Sequence, residues 1–171
     1  MAFSMCRWLP LVAILVTSSA PALAAAPALV DGTDPAVVME LMRGYGSARP
    51  DKGQDGNPMI RGRIDGNGFS AFFYDCDGDG ANCGSIGLSA YFDRTDVSLD
   101  AINGWNRANR FGRVYLRDDG KPVIEMDIEL AGGITADNFE AAMDRWSAIL
   151  QDFDNNVVNA ERQPEAGDVT P

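Results

Sequence analysis

The sequence predicts an α+β domain in which an antiparallel sheet carries helices mainly on one face. Apolar residues recur at helical spacing in three separate segments. Between those segments lie short stretches that alternate apolar and polar residues and are joined by Gly- and Asp-rich turns. The expected element order is α-β-β-β-α-β-β-α.

The first helix starts at Asp34-Pro35, a capping residue followed by proline at the first helical position. Val38, Leu41, Met42 and Tyr45 share its inner face, and Gly44 and Gly46 end it. Ser47 to Pro58 is polar and turn-rich and reads as a loop. Three strands follow. Met59 to Asp65 ends at Gly66-Asn67-Gly68, a hairpin signal. Phe69 to Asp75 is aromatic and suits a strand. In Ser85 to Phe92, residues Ile86, Leu88, Ala90 and Phe92 share one face. Ser98 caps a second helix, with Leu99, Ile102 and Trp105 as its apolar stripe and an end near Asn109.

The next hairpin fixes its own register. Val114 and Leu116 point one way, as do Ile124, Met126, Ile128 and Leu130 on the returning strand. Their faces coincide only when even positions oppose even positions. This excludes a two-residue Asp119-Gly120 turn. It requires a three-residue loop, Asp118 to Gly120, with Gly120 left-handed and Arg113 opposite Glu125 on the wet face. Thr135 caps the third helix, whose Phe139, Met143, Trp146 and Leu150 mark one buried face.

The chain has 171 residues, of which 46% are apolar, enough for a core. It has no histidine, which excludes Ser-His-Asp and Cys-His catalysis, His-carboxylate iron sites and imidazole zinc ligands. Its net charge of −11 argues against nucleic acid and against anionic lipid as partners. Residues 1–24 read as a Sec-type signal peptide. Arg7 supplies the basic end, Trp8 to Val16 the apolar stretch, and Ala22-Leu23-Ala24 the cleavage site. The expected location is the periplasm or the medium, with no membrane contact after cleavage. Residues 25–32 read as a linker, 33–153 as the domain and 154–171 as a disordered acidic tail. Removal of the signal leaves two cysteines, Cys76 and Cys83, an even pair first read as a disulfide in an oxidising compartment.

Three constellations carry chemistry. Asp75, Asp77, Asp79 and Gly80 match positions 1, 3, 5 and 6 of a calcium loop, but position 12 is Ile86 instead of a bidentate Glu. The alternative is a turn stapled by Cys76–Cys83, a closure worth about 2–3 kcal/mol. The second is Asn103, Trp105, Asn106, Arg107, Arg110 and Arg113. It reads either as a partner-binding surface or as a core Trp105 with arginines neutralising nearby acids. The third, Glu125, Asp127 and Glu129, is a candidate for acid–base or metal chemistry, or a solvated face opposite Arg113 and Arg117. Met39, Met42, Met126 and Met143 sit at core-facing spacings and read as packing, not copper ligands.

Tyr74-Asp75-Cys76-Asp77, Asn103-x-Trp105-Asn106, Arg110-Phe111-Gly112-Arg113-x-Tyr115-Leu116, Glu125-Met126-Asp127 and Gly132-Gly133-Ile134-Thr135 together resemble the YbjN-domain family of bacterial proteins. The likeness runs from about Thr33 to Phe153. It implies a fold similar to type III secretion chaperones and a sensory-transduction regulator with no established enzymatic activity. It supplies no catalytic residues. The signal peptide and the cysteine pair point to an exported branch. The expectation is therefore a non-enzymatic, chaperone-like interaction or regulatory domain with a protein or peptide partner and no cofactor, self-association as a homodimer included. The alternatives are a calcium-responsive domain using Asp75, Asp77 and Asp79, and a histidine-free hydrolase.

Overall fold

The computed structural model describes residues 29–160, so the expected signal peptide and the last eleven residues of the expected tail lie outside the described residues. The elements in chain order are β1 (Leu29–Val30), α1 (Pro35–Arg43), β2 (Ser47–Lys52), β3 (Pro58–Ile64), β4 (Asn67–Tyr74) and β5 (Ser85–Tyr91). They continue with α2 (Leu99–Ala108), β6 (Arg113–Leu116), β7 (Pro122–Glu129), β8 (Ile134–Thr135), α3 (Ala136–Phe153) and a π-helical turn (Asp154–Val158). Six strands form one antiparallel sheet in the order β2-β3-β4-β5-β7-β6, and β1 pairs with β8 as a separate ribbon.

The three expected helices and their caps are present. Asp34 accepts from Ala36 N, Ser98 Oγ from Ala101 N and Thr135 Oγ1 from Asn138 N, each satisfying one orphan donor of a first turn. Phe139, Met143, Trp146 and Leu150 are fully buried on α3. They pack on a sheet face formed by Ile60, Ala71, Phe73, Ile86, Leu88, Val114 and Ile124. The β6–β7 hairpin has the expected register, with Arg113 opposite Glu125 and Val114 opposite Ile124. Arg117 N donates to Lys121 O, and Gly120 is left-handed at φ +77°. In α2, Ile102 and Trp105 are buried as expected, whereas Leu99, expected in the stripe, is 62% exposed in the first turn.

Four boundaries differ from expectation. Residues 47–52 are a strand, not part of a loop. β2 is a sheet edge, where Arg, Pro and Lys discourage further pairing and give the segment its loop-like composition. The tight turn between β3 and β4 is Asp65-Gly66, both left-handed at φ 47° and 88°, one residue before the expected signal. Its Asp65 carboxylate accepts from Ser147 and Gln151, which ties the hairpin to α3. The expected linker contributes β1, with Val30 in the core. The expected tail begins with the π-helical turn, whose Val158 is 4% exposed. The packed domain therefore extends beyond 33–153 at both ends.

Candidate functional site

The segment from α2 into β6 sorts the expected partner-binding residues into three environments. Trp105 is 5% exposed, donates Nε1–H to Asp152 at 2.7 Å and stands edge-on to Phe153. Asn106 clasps the start of β6: its amide accepts from Val114 N and donates to Val114 O, both at 2.9 Å. The polar groups of these two side chains are spent on contacts within the fold. Asn103 and Arg107 are exposed on α2. Arg107 lies in the last turn, where a cation complements the helix dipole.

Beyond α2 the chain turns sharply at Gly112, left-handed at φ +75°. A Cβ there would come within 2.7 Å of Ile149 and 3.6 Å of the Trp105 ring. This turn leaves Phe111 39% exposed at the surface. The Arg145 guanidinium, from α3, lies 4.1 Å from the centre of the Phe111 ring, and Arg110 lies 5.2 Å from it. Among the described residues no carboxylate stands within ion-pair distance of Arg107, Arg110 or Arg145. On so acidic a chain, this surface sets an exposed aromatic ring between two guanidiniums that no carboxylate among the described residues pairs. Arg145 is the member that sequence reasoning missed, because it joins this surface only through packing of α3.

Arg113 belongs elsewhere. It points to the sheet face away from the helices and donates from Nε and Nη2 to Glu125 Oε2 at 3.0 and 2.6 Å. Tyr115 donates to the other Glu125 oxygen. Glu125 pushes the Arg113 pKa further up, chiefly through that hydrogen bond. Both Glu125 carboxylate oxygens are thereby engaged within the sheet face, one by the guanidinium and one by the phenol. Glu125 and Asp127 line a cavity of about 540 Å³ on this open face with Tyr74, Tyr91, Gly87 and Ser89. Burial, then the charges of Glu125 and Asp127, raise the Tyr74 pKa above the usual tyrosine range. The alternation of the strands places these residues on one face, and that parity is the signal that would have found Tyr74, Ser89 and Tyr91.

The disulfide Cys76–Cys83 closes the loop between β4 and β5. Cys83 N donates to Gly32 O at 2.8 Å, so the stapled loop carries the chain entering α1. The three aspartates do not gather as the calcium pattern implied. Asp77 accepts from the Asn82 amide, Asp79 from Ala81 N at 3.4 Å, and Asp75 faces the open-face cavity. Among the described residues no three His, Cys, Asp or Glu side chains are placed to hold a metal ion.

A family model described as "YbjN: Putative bacterial sensory transduction regulator" matches residues 34–158. The chain belongs to the YbjN family. The match takes in all three helices, the six-stranded sheet and the π-helical turn, and omits only β1 among the described elements. No curated protein matches the chain. As a YbjN domain it is a regulatory or interaction module. Among the described residues no helix is long and apolar enough to cross a membrane.

Proposed function

We propose that this YbjN domain is an exported, non-enzymatic interaction module that docks a carboxylate-bearing protein partner on Phe111, Arg110 and Arg145, in the manner of a chaperone-like regulator. The observation that carries the reading is the exposed Phe111 ring framed by two guanidiniums without a carboxylate partner. Aromatic and Arg side chains dominate the energetics of protein interfaces, and a ring pre-framed by guanidiniums loses little freedom on docking. The small-x-small site after the apolar stretch at residues 8–16 supports export, and the closed Cys76–Cys83 bridge suits an oxidising compartment. The absence of histidine from the sequence and the commitment of Glu125 to Arg113 and Tyr115 support a non-enzymatic role over a histidine-free hydrolase.

A photo-crosslinking residue at position 111, in cells producing the full chain, tests this. The expected result is one dominant protein adduct from the periplasm, lost on Arg110→Ala/Arg145→Ala and weakened by added salt, since exposed charge pairs are screened. An adduct pattern indifferent to the two arginines, or recovery of the uncrosslinked monomer alone, refutes the proposal.

A further inference from the structure

The open sheet face has a basic half as well as an acidic one. On β2, β3 and β4 six residues stand there in two cross-strand rows. Ser47, Arg63 and Gly68 form one row, and Arg49, Arg61 and Ser70 form the next. Arg49 and Arg61 are directly opposite each other, a like-charge pair that weakens the pairing of two strands. These six residues line a cavity of about 380 Å³, within the range of small-molecule sites. At Gly68 its floor is bare backbone, since a Cβ there would meet nothing within 4 Å. Ser70 is only 8% exposed, and its hydroxyl has no hydrogen-bond partner among the described residues. Unlike the Ser89 hydroxyl beside it, that of Ser70 is not sealed from solvent. It is a buried donor that still lacks an acceptor, at the edge of a cavity that admits one.

The charge of the lining selects the ligand. The chain has 25 acidic residues against 14 basic ones, yet three arginines and no carboxylate line this cavity among the described residues. Arg61 is paired with Asp51 from outside it. Arg63 donates to the Gly66 carbonyl, a neutral group, and Arg49 has no hydrogen bond or ion pair among the described residues. Two positive charges are therefore uncompensated. Tyr91 walls the side toward β5, but Arg117 already lies over its ring at 5.5 Å, so the site offers charge and hydrogen bonds, not stacking. A carboxylate brings one charge and two oxygens. A phosphate monoester brings two charges and three free oxygens, and guanidiniums bind it in bidentate fashion. We propose that this cavity binds a phosphate monoester dianion, which accepts from the Arg49 and Arg63 guanidiniums and from Ser70 Oγ–H. The site uses none of Phe111, Arg110 or Arg145, so it stands or falls separately from the docking surface.

The test is an NMR titration of the full chain with sn-glycerol 3-phosphate at about pH 8, where the phosphate is a dianion. Sodium acetate and sodium chloride at matched ionic strength are the references. Saturable shifts of the Arg49, Gly68 and Ser70 amides are expected, with acetate weaker by about tenfold. Arg49→Ala should weaken the phosphate by about tenfold while leaving the melting temperature equal or higher, because it removes one of two opposed like charges. Ser70→Ala should weaken it by a similar factor, through the lost hydroxyl alone. Arg107→Ala removes the same charge from α2 and should leave the phosphate affinity unchanged. Shifts that chloride reproduces, acetate binding as tightly as the phosphate, an affinity unchanged in Arg49→Ala or Ser70→Ala, or an equal loss in Arg107→Ala each overturn the site. The same group occurs on soluble esters and on lipid heads. Tighter binding of glycerol 3-phosphate than of phosphatidic acid vesicles upholds the site as a receptor for soluble phosphate esters, and the reverse order upholds it as a reader of a lipid phosphate.

Discussion

The covered and open faces of the six-stranded sheet are made from alternate residues of the same strands, yet they do opposite work. On β4, Phe69, Ala71 and Phe73 go under the helices, and Ser70, Phe72 and Tyr74 face out. The covered face is apolar and closed by Phe139, Met143, Trp146 and Phe153. The open face has serine and glycine at its middle, with arginines over β2 and β3 and carboxylates over β7. One face holds the molecule together by area removed from water. The other buries Met59 and Val123 but leaves Tyr74, Tyr91 and Tyr115 exposed beside its charged residues. The difference teaches where substitutions should unfold the protein and where they should only change what it binds.

The largest expected effect lies in two adjacent residues. Phe73 is 1% exposed and Tyr74 is 45% exposed. Phe73→Ala should cost about 3–5 kcal/mol, the usual range for deleting a buried phenyl ring. Tyr74→Ala should stay within about 1 kcal/mol, as a partly exposed side chain does. Urea denaturation of the two variants measures the contrast. Equal losses would mean that the outer face also carries core energy, and the division of labour between the faces would fail.

The second contrast sits within α2. Asn106 satisfies both backbone groups of Val114, whereas Asn103 is exposed and has no side-chain hydrogen bond among the described residues. Asn106→Ala strands a donor and an acceptor beside the buried Val114 and should cost about 1–3 kcal/mol. Asn103→Ala should be close to neutral, within about 0.5 kcal/mol. Thermal unfolding of both variants, with hydrogen exchange at the Val114 amide, checks this. Unchanged protection at Val114 in the Asn106 variant would show that the clasp does not hold β6.

The same two asparagines show how far the sequence could be read. Both stand in one polar run with Trp105 and the arginines, and a run of donor side chains resembles a binding surface whether its members are exposed or consumed. Periodicity placed the three helices, their caps and the β6–β7 register, because each depends on local chemistry and strict alternation. It could not show that Trp105 would find Asp152, or that Arg145 would stack on Phe111, since those pairings arise from helix packing. The edge strand β2 escaped for a different reason. Its Arg, Pro and Lys protect an edge and read as a loop, and only pairing with β3 makes it a strand. The two-residue β1 and the π-helical turn are too short for any period to register.

The smallest effect probes the field on the open face. Tyr74 and Tyr115 both ionise above the ordinary tyrosine value of 10.0; burial is the leading cause, and the Glu125 charge acts on both. Their folded pKa values lie above the unfolded ones. Each therefore contributes stability that is fully present below pH 10 and is lost as pH rises through the folded value. Absorbance titration at 295 nm, taken as the difference between the parent and Tyr74→Phe, isolates the one phenol. Asp127→Asn should move that curve part of the way back toward the ordinary value, because burial remains when the charge is gone. An unmoved curve would mean that burial alone raises Tyr74 and that the Asp127 carboxylate does not act on it. A downward step, together with an unchanged urea midpoint at neutral pH, would separate the two faces most finely: the same substitution alters the potential over the open face and leaves the covered one untouched.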